Sequence, residues 1–450
     1  MLGAYTNSLK IPELRKRIIF TLAILALCRL AAGIPCPGLN AAELGRLFDN
    51  LQQGGGGLMN IVNIFSGGAL QKFAVGTLGI MPYITASIIM QLLMPVIPAL
   101  EKLRREGESG RQKINQYTRY LTLAVCVVHG TAAVRFMVSP GGMLSGDQTY
   151  NIVKNPGFGF AVTTVVFLAA GTMLLVWLGE QISDRGIGNG ISLIITINIL
   201  SRLPMAIGGL FALAQGTAGT GGGGIIQVLL LIVLFLIVCA GAVALTQGHR
   251  KVPIRHARRT AGRQSNAGQT SYLPLRVNYS GVMPIIFGSA ILMFPTVILR
   301  QFQATAEYVR YFQYGSWPYM ITFGIVILLF SFFWVATQFK PTQIADNLQK
   351  QGGYVPGIRP GQPTATFLDN TMSRLTLAGA IFLTGIAVVP MLLSGTILQI
   401  PQSVASFFGG TSLLIMVGVV LDTMRQMEAY LLSHHYDGFM KKGKLRSRHS

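Results

Sequence analysis

The chain has 450 residues, of which 51% are hydrophobic and only 11% are charged, and its formal net charge is +21. Soluble domains carry about 25% charged residues, so this chain lacks the charge that would cover a soluble core of its size. Lipid must therefore cover much of the surface, and the composition excludes an ordinary soluble protein.

Ten apolar runs follow one another along the chain, and each is close to the roughly 20 residues that a membrane-spanning helix needs. They cover residues 18–34, 73–97, 119–138, 159–179, 188–204, 225–246, 279–300, 317–339, 374–395 and 403–424. Continuous apolar runs differ from the alternating pattern of a membrane β-barrel, so we predict helices. We find no cleavage site after the basic start of the chain, so the first span is expected to be retained.

The distribution of basic residues predicts the orientation of these spans. Most of the 36 Lys and Arg residues lie before the first span, after the last span, or in every second connection between them. Basic residues mark the cytoplasmic side, so both termini are predicted to be cytoplasmic. Two related halves of five spans each must be inverted relative to one another. We therefore predict an all-α polytopic membrane protein with ten transmembrane helices in two inverted five-helix halves.

The same pattern divides the chain into segments. We predict a cytoplasmic N-terminus at 1–17, a first half at 18–210, a Gly-rich external linker at 211–224, a second half at 225–426 and a basic cytoplasmic tail at 427–450.

Two cytoplasmic connections, at 247–277 and 340–372, are long for simple links. The first has seven basic and no acidic residues, interleaved with β-prone residues, which indicates an ordered projection. The second is polar and rich in Gly and Pro, and is also predicted to protrude. Such loops can anchor topology or bind anionic lipid, or they can bind phosphate-rich RNA or an acidic protein face. Both interpretations stay open at this point.

Motifs for catalysis are missing from the sequence. It has no HExxH, P-loop or GxSxG motif, so we expect no enzymatic activity, cofactor or metal. The four cysteines lack CxxC spacing and are expected to be small buried hydrophobic residues. The glycines of RGIGNGIS at 185–192 predict a tight turn at a helix start rather than a nucleotide-binding loop.

Two other membrane functions fit the sequence less well. A secondary transporter usually carries acidic residues or His at mid-membrane, whereas nearly all Asp and Glu residues here fall in loops or at helix ends. His129, the only His deep in a predicted span, is expected to be a packing residue. An intramembrane protease needs Ser and His, or two Asp, at matching depth, and the sequence offers no such pair.

Several long motifs run in order from about residue 12 to 440. They are NIFSGGAL (63–70), TLGIMPYITASIIMQLL (77–93), EGESGRQKINQYTRY (106–120), WLGEQISDRGIGNGISLI (177–194), LPLRVNYSGVMPIIFGS (273–289), ADNLQKQGGYVPGIRPG (345–361), RLTLAGA (374–380) and FGGTSLLIMVGVVLDTM (408–424). Their order and spacing resemble the SecY family of protein-conducting channels. The resemblance implies a bacterial inner-membrane protein whose two halves surround a central pore and open sideways through a gate between the second and seventh spans.

The resemblance also implies an apolar ring at the waist of the pore. The family's ring positions correspond to Ile80, Ile84, Ile191, Ile195, Ile286 and Ile415. Without the resemblance, an Ile in a spanning helix would be expected to face lipid or to pack. Isoleucines four residues apart share one helix face, and an apolar constriction blocks ions by dewetting.

A plug that blocks the pore from outside is expected at about 58–70. Its residues are Leu58, Ile61, Ile64, Phe65, Gly67 and Gly68, whose apolar spacing would also fit an interfacial helix. Pro82 is expected to bend the second span near the gate. The polar gate residues are Gln91, Asn278 and Ser289, which are expected to form hydrogen bonds between helices.

Arg359, in PGIRPG, matches a family position that engages the cytoplasmic motor or the ribosome. Arg255 and Arg258 lie in the corresponding projection at 247–277. The implied partners are the subunits SecE and SecG, the ATPase SecA, the ribosome with its rRNA, secretory preproteins with signal sequences, and anionic lipids. The implied activity is passive conduction of unfolded polypeptide, driven by SecA or the ribosome, with lateral release of transmembrane segments into lipid.

Overall fold

The computed structural model describes residues 11–53, 66–138, 152–215, 224–256, 270–301, 316–393, 404, 407–408 and 411–442. The chain forms two compact units. The first comprises residues 1–208 together with 419–450, and the second comprises residues 209–418.

Helices account for most of the described residues. They are α1 (Pro12–Ala31), α2 (Ala41–Gln53), α3 (Met81–Leu93), α4 (Pro98–Arg105), α5 (Glu108–Val138), α6 (Phe158–Arg185), α7 (Gly190–Leu200), α8 (Leu203–Ala214), α9 (Gly224–Gln247), α10 (Met283–Gln301), α11 (Trp317–Gln338), α12 (Pro341–Lys350), α13 (Gln362–Leu392) and α14 (Thr411–Lys442). The strands are β1 (His249–His256), β2 (Thr270–Arg276) and β3 (Gly353–Tyr354).

Each of the ten predicted spans overlaps one of these helices. Within the described residues, six helical segments are long and apolar enough to cross a membrane. The bent pair of α3 and α4, which meet at 97°, would make a seventh if counted as one span. The all-α membrane-spanning class is therefore confirmed, while the count of ten spans stays a prediction.

The predicted second span, 73–97, is wrong at its start, because the helix begins only at Met81. The residues before it form turns, with positive φ at Gly67, Gly68 and Gly79. Pro82 therefore does not bend a helix. It lies in the first turn of α3, where its missing N–H removes no hydrogen bond from the helix.

Close backbone approaches at glycine hold the first unit together. Gly171 of α6 lies against the backbone of Val75, and a Cβ at position 171 would collide with the Val75 carbonyl oxygen. Nearby, the Arg119 guanidinium donates two hydrogen bonds to the Glu180 carboxylate, with Nε–Oε1 at 3.0 Å and Nη2–Oε2 at 2.6 Å. This fork joins α5 to α6.

The turn predicted at 185–192 is present and joins α6 to α7. Gly188 has φ +88°, and the Asn189 side chain caps α7 by accepting a hydrogen bond from the Ser192 N–H at 3.3 Å. Gly190 packs so closely on Gly179 of α6 that a Cβ at 190 would collide with the Gly179 carbonyl oxygen. The glycines therefore serve tight packing at a helix start.

All four cysteines are free, and three of them, Cys28, Cys36 and Cys126, are buried. Cys36 lies beyond the end of α1, and burial raises the pKa of its thiol above the ordinary value, although its hydrogen bond with Thr164 acts in the opposite direction. A buried neutral thiol of this kind behaves as a small hydrophobic side chain.

The second unit is built around an apolar cluster between α9, α10, α11 and α13. Its largest fully buried members are Phe323, Ile327 and Ile285, and Leu413 and Leu414 of α14 join it. Since these side chains come from five helices, the cluster fixes how the helices of this unit pack.

The predicted projection at 247–277 contains an antiparallel hairpin of β1 and β2, in which His249 pairs with Arg276 and Arg255 with Thr270. β3, from the predicted projection at 340–372, adds to the free side of β1, with Arg255 opposite Tyr354. The sheet order is β2-β1-β3. This small sheet is the exception to an otherwise helical fold.

Gly171 provides a test of the close approach in the first unit. Gly171→Ala should lower the free energy of unfolding by about 1–3 kcal/mol, because the added methyl group meets the Val75 backbone. Gly159→Ala, in the first turn of the same helix with nothing within 4 Å of its Cβ, should instead leave the stability nearly unchanged. Thermal unfolding in detergent measures both variants, and equal stability would contradict the assigned packing.

Candidate functional site

Four of the six predicted ring positions lie on two helices of the first unit. Ile80 caps the N-terminus of α3, and its carbonyl oxygen accepts a hydrogen bond from the Ile84 N–H at 3.1 Å. Both side chains are buried, with 2% and 5% exposure. Ile191 and Ile195 stand one turn apart on α7, where Ile195 is buried and Ile191 is half-buried.

The other two positions lie in the second unit. Ile286 of α10 and Ile415 of α14 are 2% and 1% exposed, yet neither is a member of the apolar cluster around Phe323, to which their chain neighbours Ile285 and Leu414 belong. Adjacent residues point about 100° apart around a helix. Ile286 and Ile415 are therefore buried on a different face of their helices from their neighbours.

The burial of these isoleucines excludes one of the two ordinary interpretations. Apolar side chains on the outer surface of the helices are strongly exposed, for example Ile225 at 74% and Leu30 at 67%. Five of the six ring positions are buried, so they do not face lipid. Packing and a pore role are the two interpretations that remain.

The predicted plug lies mostly outside the described residues, and this includes Leu58, Ile61, Ile64 and Phe65. The described part is its end, where Gly67 and Gly68 have φ values of +64° and +88°. A left-handed backbone of this kind favours glycine, so this GG pair is required by the turn itself.

A contact that the sequence analysis missed lies at this turn. Arg29 of α1 donates a hydrogen bond to the Gly67 carbonyl oxygen at 3.0 Å and another to Asn198 Oδ1 of α7 at 3.2 Å. The signal available in the sequence was a lone charge within the first apolar run, a pattern that often marks a functional residue.

The three gate residues form hydrogen bonds within their own segments. Gln91 donates to Ser87 Oγ at 3.2 Å, Asn278 donates to the Gly281 carbonyl at 2.9 Å, and Ser289 donates to the Ile286 carbonyl at 2.8 Å. None of these three bonds joins two helices, so the expectation of hydrogen bonds between helices is wrong for them. Their role at a gate stays a prediction.

The projections at 247–277 and 340–372, predicted to be cytoplasmic and separate, share one sheet and one small apolar core. That core combines Val252 of β1 and Leu275 of β2 with Val355, which follows β3, and with side chains of α11 and α13. Along β1 the buried residues alternate with exposed Lys251 and Arg255, so the sheet turns its basic side chains to solvent.

Arg359 is exposed and lies in a tight turn between Gly357 and Gly361, whose φ values are +83° and +94°. The Arg359 carbonyl oxygen accepts a hydrogen bond from Thr364 Oγ1 at 2.8 Å, which ties the turn to α13. The backbone is therefore held while the guanidinium is left in solvent. Arg258 lies outside the described residues.

Comparisons with known proteins agree with the family resemblance seen in the sequence. The family model described as SecY matches residues 74–424. The protein translocase subunit SecY of Chlamydia trachomatis is 43% identical over 449 residues, covering 97% of this chain and 98% of the relative. The subunit of the same name from Thermotoga maritima is 40% identical over 452 residues, covering 100% of both chains.

Solved structures show the same fold. A structure described as a protein-conducting channel matches with a TM-score of 0.61 at 19% identity, covering 93% of this chain and 92% of that chain. A SecY structure reported for the role of its plug domain in stabilising the closed state matches with a TM-score of 0.58 at 18% identity, covering 93% of this chain and 92% of that chain. On the strength of these whole-length matches, the chain belongs to the SecY family of protein translocase subunits.

Proposed function

We propose that this chain is the central, non-enzymatic channel subunit of a protein translocase, a passive pore that conducts unfolded polypeptide across a membrane and releases apolar segments into lipid. The observation that carries this proposal is identity of 40–43% with protein translocase subunits along essentially the whole chain. The chain is a multi-pass membrane protein, as its apolar helices require.

The waist of the pore is assigned to the six isoleucines already described. Burial of five of them within a lipid-covered protein supports this assignment. β-Branching leaves each Ile few rotamers, so a constriction made of them is stiff. An apolar waist excludes ions by dewetting and offers a passing peptide no hydrogen bonds, so it conducts polypeptide without recognising its sequence.

The plug is assigned to about 58–70 and the lateral gate to the second and seventh spans, which include α3 and α10. The local hydrogen bonds of Gln91, Asn278 and Ser289 support a gate. A polar group that is satisfied within its own segment loses nothing when neighbouring helices separate. An arriving signal sequence therefore does not have to break the hydrogen bonds of these three side chains.

The sheet of β1, β2 and β3 is assigned as a docking platform for SecA and for the ribosome with its rRNA. The core around Val252 and Val355 supports this, because it holds the exposed Arg255 and the turn of Arg359 on a rigid base. Arg258 belongs to the same proposal through the sequence alone. A guanidinium fork binds phosphate or carboxylate at two points, which gives a docking contact its geometry.

The remaining assignments follow from the family and the charge pattern. SecE and SecG would be the membrane partners, and preproteins with signal sequences would be the substrates. Anionic lipids would surround the basic loops. The membrane is the bacterial inner membrane, with both termini cytoplasmic. The two halves are 18–210 and 225–426, and the linker 211–224 lies on the external side of the membrane.

The waist can be tested with a matched pair of adjacent isoleucines. Ile286→Asn combined with Ile415→Asn should hydrate the waist, raise ion leak through the reconstituted channel and relax the demand for a good signal sequence. The control is Ile285→Asn, because Ile285 is equally buried but belongs to the apolar cluster of the second unit. It should destabilise the fold by about 1–3 kcal/mol through an unsatisfied amide, without a leak. An unchanged leak in the Ile286 and Ile415 double variant would reject the ring assignment.

The docking platform predicts position-specific effects. Arg359→Glu should abolish motor-driven transport at normal membrane level, and Arg255→Glu with Arg258→Glu should weaken ribosome binding. A lost charged contact costs about 2–5 kcal/mol when its partner stays buried, or about thirtyfold or more in affinity.

Binding of SecA and of ribosomes to the reconstituted channel across ionic strength measures these effects. Arg359→Lys should recover only part of the binding, and Lys113→Glu, an exposed basic position on α5, is the control that removes charge elsewhere. If binding changes neither with salt nor with substitution of any of the three arginines, the docking role is rejected and the loops serve as topological anchors.

A further inference from the structure

Arg29 is a charged residue near the end of α1, in the apolar part of the helix that follows its charged first turns. It lies in the last turn of α1, within the first predicted span. A charge inside a membrane-spanning segment is costly, and such residues are retained where they have partners and a role. The proposed functions of the waist, plug, gate and platform leave this residue unused.

The partners of Arg29 come from two other elements of the first unit. Its Nη2 donates to the Gly67 carbonyl oxygen at 3.0 Å and its Nη1 donates to Asn198 Oδ1 at 3.2 Å. Ser201 Oγ donates to the same Gly67 carbonyl at 3.4 Å and to the Asn198 carbonyl at 2.7 Å. The turn at 67 is therefore connected to α1 and to the C-terminal end of α7 at once.

The fit around Gly67 is tight. A Cβ at this position would collide with Arg29 Nη1 and lie 2.9 Å from Asn198 Oδ1, whereas a Cβ at Gly68 would meet nothing within 4 Å. Both glycines have positive φ. The backbone conformation therefore requires glycine at both positions, but only Gly67 is needed for access to the guanidinium.

We propose that Arg29 is a positioning residue that locks the turn at the end of the plug to α7, the helix that carries Ile191 and Ile195. The guanidinium bridges a backbone carbonyl and a carboxamide through two different nitrogens, a geometry that a lysine ammonium reproduces poorly. Movement of the turn away from α7 breaks a charged hydrogen bond, so this clamp sets how readily the resting channel opens. The inference rests on the proposed plug and waist.

The test measures resting ion leak and signal-sequence stringency of the reconstituted channel, together with thermal unfolding. Arg29→Gln should raise the leak about tenfold, as expected for loss of one charged hydrogen bond, and Arg29→Lys should recover part of the seal.

Gly67→Ala should raise the leak as much as Arg29→Gln does. Gly68→Ala has the same backbone penalty but causes no collision, so it should raise the leak less. The combination of Arg29→Gln with Gly67→Ala should leak no more than either change alone, because both remove the same contact.

Gly38→Ala is a control for backbone strain. Gly38 has φ +89°, and a Cβ there would make only ordinary contacts with Phe160, at 3.4 Å and beyond. The variant should lower thermal stability without a leak. If Arg29→Gln and Gly67→Ala likewise lower stability with no leak, Arg29 is only a folding element and the proposal is overturned.

Deletion of 58–66 separates failure of the clamp from failure of the plug. If the deletion raises the leak while Arg29→Gln does not, the clamp is wrong and the plug stands. If the deletion leaves the leak unchanged, the plug assignment is wrong, and the clamp falls with it because nothing remains for it to hold.

Discussion

Hydrocarbon supplies no hydrogen-bond partners, and many polar groups of the described helices are satisfied close to where they arise. Threonine hydroxyls inside the helices donate to carbonyl oxygens one turn back, as in Thr122 to Thr118, Thr196 to Ser192 and Thr376 to Met372. The same local satisfaction holds for Gln91 and Ser289. Helices whose polar groups are complete in themselves can part from a neighbour without exposing unsatisfied groups, and a channel that opens sideways needs this property.

Other polar contacts of the described residues join separate elements. The Arg119–Glu180 fork links α5 to α6, and Arg29 links α1, the turn at Gly67 and α7. Glycine makes the second contact type, close backbone packing, as at Gly171 and Gly190. The first unit thus combines dense packing, which resists change, with a charged contact at the end of the proposed plug.

Much of this could be predicted from the sequence, and the failures have physical reasons. Hydropathy located a helix at every predicted span because apolar length is a local property. It failed at 73–80, because a buried apolar turn and a buried helix have similar hydropathy, and the positive φ values of Phe73 and Gly79 mark the turn. The glycines in that stretch were visible, but their conformation depends on the elements packed around them.

Contacts between distant parts of the chain were also beyond the sequence. The pairing of Arg255 with Tyr354 joins segments about a hundred residues apart, and no local pattern encodes which strand a two-residue segment will join. The six ring positions came from family resemblance, since an isolated Ile carries no signal of its own. The structure adds that Ile286 is buried but lies outside the apolar cluster to which Ile285 belongs, so Ile286 does not face lipid.

The sheet of β1, β2 and β3 has a further consequence for a protein that handles extended chains. β3 pairs only with Arg255 and His256, so the stretch of β1 before them is not covered by β3. An uncovered strand edge is a template to which any unfolded polypeptide can add. Pro253 lies in that stretch and Pro274 lies in the outer strand β2, and each removes an N–H donor from the ladder. We therefore expect the prolines to limit the addition of extended polypeptide to this part of the sheet.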